Sequence, residues 1–196
     1  AVTVLENSQT SAASALAQMV RLHQITCGYL MTDDGKERPL KNNRISELLN
    51  ILEEIDGKVI IWAIYRHDIK KINEILSERY GKEAVESFYG DTAESDRQDI
   101  VSRFQDREDP LRFFIGNPRT GGYGLTLTAS HTVVYYSNSY DLEIRLQSED
   151  RAHRISQTEK VTYIDLLSEG TVDEFIVKNL RNKINLANKV LGEDLK

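Results

Sequence analysis

Cysteine is nearly absent from this chain of 196 residues, where Cys27 stands alone. Neither an internal disulfide nor a cysteine zinc cluster can therefore form, and a reducing compartment is expected. The four histidines, His23, His67, His131 and His153, lack metal-ligand spacing, so no metal is assigned to the chain. No apolar run approaches the ~20 residues that cross a bilayer, and no membrane contact is expected. The opening AVTVLENSQT has no initiator Met, basic n-region or long apolar h-region, so it does not read as a signal peptide. It reads as a piece of something longer, and a cytoplasmic location is expected. Also missing are a G-x-x-x-x-G-K-[ST] phosphate loop and an Asp-Glu-x-His-like magnesium site. No G-x-G-x-x-G follows the first core strand, which argues against a dinucleotide-binding domain.

What is present fits a folded globular protein: 40% hydrophobic and 29% charged residues, enough for one substantial core. The net charge of −6 is unevenly spread. Residues 43–110 hold 10 Lys/Arg against 16 Asp/Glu, whereas the remainder holds 15 of each. The acidity therefore belongs to the middle helices as a solvated face, and a local basic face elsewhere is compatible with nucleic-acid binding.

After residue 57, apolar strands alternate with amphipathic helices. Strands are expected at 58–64, 84–89, 111–115, 132–137 and 161–167. Helices are expected at 67–80, 93–104 and 142–155 from their apolar spacing. Such alternation predicts an α/β fold with a parallel sheet covered on both faces. Ligands in such sheets gather at the carboxyl ends of the strands, here the loops at 65–67, 89–92, 116–124 and 137–141. Flanking helices are expected at 14–26 and 43–55, separated by a polar stretch at 32–42, and a last helix at 172–190. Three segments follow: 1–42 as an N-terminal helical flank or linker, 43–170 as the core lobe, and 171–196 as a helix packed on it. Trp62 and at least one of Tyr135 and Tyr136, which must point to opposite faces of their strand, belong to the core.

Two features carry chemistry. The octapeptide QSEDRAHR, residues 147–154, sets Arg151 and Arg154 one helical turn apart on one expected face. Each guanidinium offers a fork of donors matched to phosphate oxygens; a polyphosphate would bring both forks to one place, although pairing with Glu149 and Asp150 would also explain them. The loop GNPRTGGYGL, residues 116–125, has three closely spaced glycines, Gly121, Gly122 and Gly124. They let the backbone approach a phosphate and expose its amides, and a tight turn after a strand is the simpler alternative.

Five blocks together resemble the C-terminal motor lobe of Swi/Snf-type ATPases of helicase superfamily two. KVIIWAIYRHDIKKI resembles motif four, and FYGDTAESDRQDIVSRF the segment that follows it. FFIGNPRTGGYGLTLTASHTVVYYSNSYD resembles motif five with its extension. QSEDRAHRISQ is similar to motif six, usually worded QAEDRAHRIGQ, and VTYIDLLSEGTVDEFIVKNL to the strand and helix after it. The likeness spans about residues 16–190 and implies a RecA-like lobe. Ser156 departs from the usual Gly, and residues 137–140, Ser-Asn-Ser-Tyr, depart from the commoner Asp-x-x-Trp-Asn-Pro wording. No long insertion interrupts the core, as in compact bacterial or phage members, which implies a bacterial or phage-infected cytoplasm.

The resemblance implies roles by position. Arg151 and Arg154 match the catalytic arginine fingers. Gln147, Asp150, Gly122 and Gly124 fall with the nucleotide-binding group. Arg66, Thr92 and Thr120 fall near the DNA backbone, although a surface salt bridge is an equal reading for Arg66. It also implies ATP and Mg2+, both held mainly by an N-terminal RecA-like lobe of the same parent chain, and double-stranded DNA as the track. The parent would hydrolyse ATP while this lobe alone would not. A non-catalytic DNA- or protein-docking module with the same fold is the alternative.

Overall fold

A computed structural model describes residues 2–5, 8–11, 14–120, 124–154 and 159–191, with the backbone alone at 2–5, 8–11 and 187–191. An antiparallel pair, β1 (Val2–Leu5) and β2 (Ser8–Ser11), precedes helix α1 (Ala15–Cys27). A second hairpin follows, β3 (Tyr29–Met31) with β4 (Glu37–Pro39), and then α2 (Arg44–Glu53). Neither hairpin is among the sequence expectations; β4 lies in the stretch read as a polar separator, and β3 just before it. Its pairing is extended by the Leu40 amide, which donates to the Gly28 carbonyl at 2.8 Å.

The core begins at β5 (Val59–Trp62), followed by α3 (Arg66–Tyr80), β6 (Val85–Phe88), α4 (Glu94–Gln105) and β7 (Phe113–Gly116). It continues through β8 (Thr132–Tyr135), α5 (Leu142–Glu149) and β9 (Thr162–Asp165), and closes on α6 (Val172–Leu191). The five core strands form one parallel sheet in the order β6-β7-β5-β8-β9. β5 is central and wholly buried, as a parallel strand covered on both faces must be. Val59 and Ile61 point into a cluster with Leu48 and Leu52 of α2 and Ile69, Ile72 and Leu76 of α3. Ile60 and Trp62 point the other way, to Ile100 and Phe104 of α4, with Leu127 and Ala152. Tyr135 joins this second cluster and Tyr136 the first, so both tyrosines are core. The expected α/β architecture with helices on both faces is the observed one.

The strands run shorter than expected, because their flanking residues turn into loops that bond across the rim. The larger correction concerns α5. It ends at Glu149, not at 155. The Ala152 amide bonds back to the Glu149 carbonyl in a tightened turn. The Arg151 carbonyl instead accepts from the Leu127 amide at 2.9 Å. A carbonyl engaged by a distant chain leaves the helical ladder, and Ala152 is drawn into the Trp62 cluster. Arg151 and Arg154 therefore stand after the helix, not along its face.

Candidate functional site

Four strand ends are knitted into one rim. Asn117, just past β7, donates its side-chain amide to the Ile64 carbonyl beyond β5 at 2.7 Å, and its backbone amide to the Phe88 carbonyl at the end of β6. Its side-chain oxygen accepts from the Arg119 amide at 2.9 Å. Ser137, past β8, accepts from the Ile64 amide at 2.9 Å. Gly116 lets β7 pass here, since a Cβ on it would lie 2.7 Å from the Trp62 ring and 3.1 Å from the Phe88 carbonyl oxygen. Asn117 and Ser137 have no role among the sequence expectations. An Asn two residues before Arg119 and a Ser after a β-run are turn signals, but the carbonyls they reach are set by the sheet order.

Arg66, 64% exposed, pairs with Asp91 at 3.0 Å, which joins the β5 and β6 ends across the rim. Thr92 is spent on its own turn: its hydroxyl donates to the Ser87 carbonyl and accepts from the Tyr89 amide. Its carbonyl accepts from Arg97 Nε at 3.2 Å, and the Arg97 guanidinium lies over the Phe88 ring. Thr120 is half-buried, with its backbone amide on the Asn117 carbonyl. Thr120 and Gly124 line one cavity of about 500 Å³ with Phe88, Arg97, Val101 and Leu125. Gly124 is left-handed, φ +68°, and open to solvent, a conformation natural to glycine. Gly122 lies outside the described residues.

The segment after Gly124 descends from the rim along the Trp62 face towards β8, and the arginine pair meets it there. Arg154 donates to the Leu125 carbonyl at 3.0 Å and more distantly to that of Gly124. Arg151 is 9% exposed and, among the described residues, has no carboxylate within ion-pair distance. Burial holds its guanidinium below the usual arginine range, the neighbouring Arg154 charge adds to this, and Asp150 partly offsets it. The pair is thus convergent although off the helix. It lies past the end of α5, where Arg154 meets the Gly124–Leu125 backbone that lines one cavity with Thr120. Asp150 caps α5 from an exposed position. Gln147 lies on the exposed surface of α5, bonded to Glu143 at 2.9 Å, and is not drawn into the arginine pair.

A third arginine escaped the sequence reading. Arg145 is ion-paired with Glu149 and Asp165 and bonded to Asn138 at 2.7 Å. Its guanidinium lies 3.5 Å from the Tyr135 ring centre. It fastens α5 to β8 and β9, and Asn138 in turn donates to Asp165. These bonds give the departing wording at 137–140 a defined shape. Among the described residues, no three His, Cys, Asp or Glu side chains converge as a metal site, and no helix is long and apolar enough to cross a membrane.

Residues 40–156 match the family described as helicase conserved C-terminal domain. The chain belongs to that family. The human chromatin-remodeling ATPase INO80 is 32% identical over 163 residues, covering 83% of this chain and 10% of the relative. ATP-dependent helicase fft2 of Schizosaccharomyces pombe is 29% identical over 188 residues, covering 93% of this chain and 14% of the relative. The chain therefore spans about a tenth of the length of these relatives. The crystal structure of the C-terminal part of the Fun30 ATPase domain superposes with a TM-score of 0.64 at 24% identity, covering 72% of this chain and 48% of that one; this supports the RecA-like fold. The resemblance to Swi/Snf-type C-terminal lobes agrees with these matches. The relatives named are eukaryotic and carry no sign of a bacterial or phage source.

Proposed function

We propose that this chain is the second lobe of an ATP-driven motor that moves along double-stranded DNA, with Arg151 and Arg154 as its arginine fingers. One observation carries the reading: Arg151 is a buried guanidinium with no anion of its own among the described residues. A buried, unpaired cation is costly, and a triphosphate oxygen arriving from outside would relieve that cost. Among the described residues Arg154 is held by the neutral carbonyls of Gly124 and Leu125, and it can be shared with a phosphate. ATP would arrive on an N-terminal RecA-like lobe, together with Mg2+, whose part is to neutralise charge on the transferred phosphoryl group. On this reading the ligands of the metal belong to that N-terminal lobe, so this chain by itself would not turn over ATP.

The rim would face the nucleic acid. Arg66 can exchange Asp91 for a backbone phosphate, since an exposed ion pair contributes little. Thr120 and the backbone around Gly124 would add contacts that do not depend on sequence, as a moving motor requires. Thr92 would contribute through its backbone and the turn it holds. Gly124, beside the Arg154 contact, and Gly122, two residues before it in sequence, would transmit nucleotide state to the DNA track. Gln147 and Asp150 would complete the nucleotide side from outside the pair. The uninterrupted core favours a compact, cytoplasmic motor of bacterial or phage type.

The test is Arg151→Ala in the protein at its full natural length. DNA-stimulated hydrolysis should fall on the order of a thousandfold, as for a lost arginine finger, with melting temperature and nucleotide affinity little changed. Undiminished turnover would overturn the assignment.

A further inference from the structure

The helical flank meets the lobe through a buried polar joint that the motor reading leaves unused. His23 and Cys27 of α1, Tyr29 of β3, Arg44 of α2, Asp68 of α3, Tyr136 after β8 and Asp173 of α6 are all buried there. Arg44 is ion-paired with Asp173 and donates to the carbonyls of Tyr136 and Leu166. His23 Nδ1 meets the Tyr65 hydroxyl at 3.1 Å, and its Nε2 stands 3.6 Å from Asp173. Neither oxygen of Asp68, which is fully buried, has a nitrogen or oxygen donor among the described residues. The Cys27 thiol, a weak donor, eases the burial of that carboxyl without completing a hydrogen bond to it. Arg44 bears on both Asp68 and His23, and Tyr65, bonded to His23, is influenced by Asp68.

We propose that Asp68 and His23 together form a proton-balanced latch that holds α1 and the β3–β4 hairpin on the lobe with one strength across mildly acidic pH. The groups facing Asp68 are Cys27 on α1, Tyr29 on β3, Glu37 on β4, Arg44 on α2, Tyr65 and Lys71 on its own side, and Tyr136 beyond β8. Those facing His23 are Asp173, Arg44, Tyr65 and Tyr140, whose ring packs edge-on against the imidazole. The joint rejects charge on both members. Burial raises the Asp68 carboxyl to about 7, a shift that Cys27, Arg44 and Lys71 reduce and Glu37 reinforces. Burial lowers His23 to about 4, a shift that Asp173 opposes and Arg44 reinforces.

The two members pull in opposite directions with pH. Asp68 is protonated in the closed joint and ionised once released, so the closed state binds the extra proton between its ordinary value of 3.8 and about 7. Closure driven by Asp68 is complete at low pH and is lost as pH rises through that window. His23 is neutral when closed and protonated when released, so between about 4 and its ordinary 6.5 the released state binds the extra proton. Closure driven by His23 is gained as pH rises through that window. Across their common range the slopes cancel, and the joint keeps one strength while each member alone would make it strongly pH-dependent.

Hydrogen exchange on the full-length protein, corrected for the intrinsic pH dependence of amide exchange, tests this at pH 4.5 to 6.5. Protection of amides in α1 and β3 should vary by less than about threefold in the wild type. In His23→Gln it should fall by up to about tenfold per pH unit, and in Asp68→Asn it should rise by up to about tenfold per unit. Flat profiles in both variants, or slopes of the same sign, would overturn the latch. Equal slopes in the β5 amides would also overturn it, since they would assign the protons to global unfolding. Should either variant fail to fold, a carbon-13 titration of the wild-type Asp68 carboxyl decides: a midpoint near 7 supports the proposal, and one near 4 sinks it.

Discussion

Single residues here act mostly through what they let other groups do. Gly116 illustrates this, because its missing side chain allows β7 to lie against the Trp62 ring and the Phe88 carbonyl. Gly116→Ala would force an overpacked contact costing about 1–3 kcal/mol, measured by chemical denaturation against the wild type; an unchanged midpoint would mean the rim is looser than drawn. Arg44 and Asp173 act as a pair in the joint below. Removing Asp173 alone would strand a buried guanidinium, at a cost of about 3–5 kcal/mol. Asp173→Leu with Arg44→Met should lose less than the two single changes summed, and strict additivity in that cycle would contradict their direct coupling. Of the residues singled out from sequence, Arg151 was legible as a candidate because its motif wording is specific, and its role is the one proposed. Asn117 and Arg145 were not, since their importance lies in carbonyls and carboxylates brought close only by folding.

Elements were legible where one signal ruled. The run VIIW at β5 is apolar without a break, so a buried strand needs no knowledge of its neighbours. α3 was found to within a residue because Ile69, Ile72 and Leu76 repeat at helical spacing and Gly81 stops the chain. The end of α5 was not legible. Helical pattern continues past Glu149, and what halts the helix is the Leu127 amide, twenty-four residues upstream in sequence and brought close by the sheet. The β3–β4 hairpin was hidden for a similar reason: its three-residue strands are too short for a period to register, and β4 carries Glu37, Arg38 and Pro39. α5 itself is held mainly by Arg145. Arg145→Ala should destabilise the lobe by about 3 kcal/mol through the two carboxylates left behind, and speed hydrogen exchange in α5 more than in α4. Equal effects on both helices would show that Arg145 is not its anchor.

For the whole molecule, a net charge of −6 means that any DNA affinity must come from a local arrangement on the rim. Binding by the full-length protein should then weaken steeply with salt, because released counterions carry the affinity. Arg66→Ala should lower the slope of log affinity against log salt by about 1, with an equal loss on unrelated duplexes. A slope unchanged in that variant would remove Arg66 from the track.

The tether of Arg151 is a bond between two main chains, the Leu127 amide and the Arg151 carbonyl. Leu127 is also fully buried in the Trp62 cluster, so replacing its side chain disturbs the core and the strut together and would not single out the strut. Proline there removes the amide hydrogen itself. The aim of Arg151 is thus carried by backbone that the core holds in place.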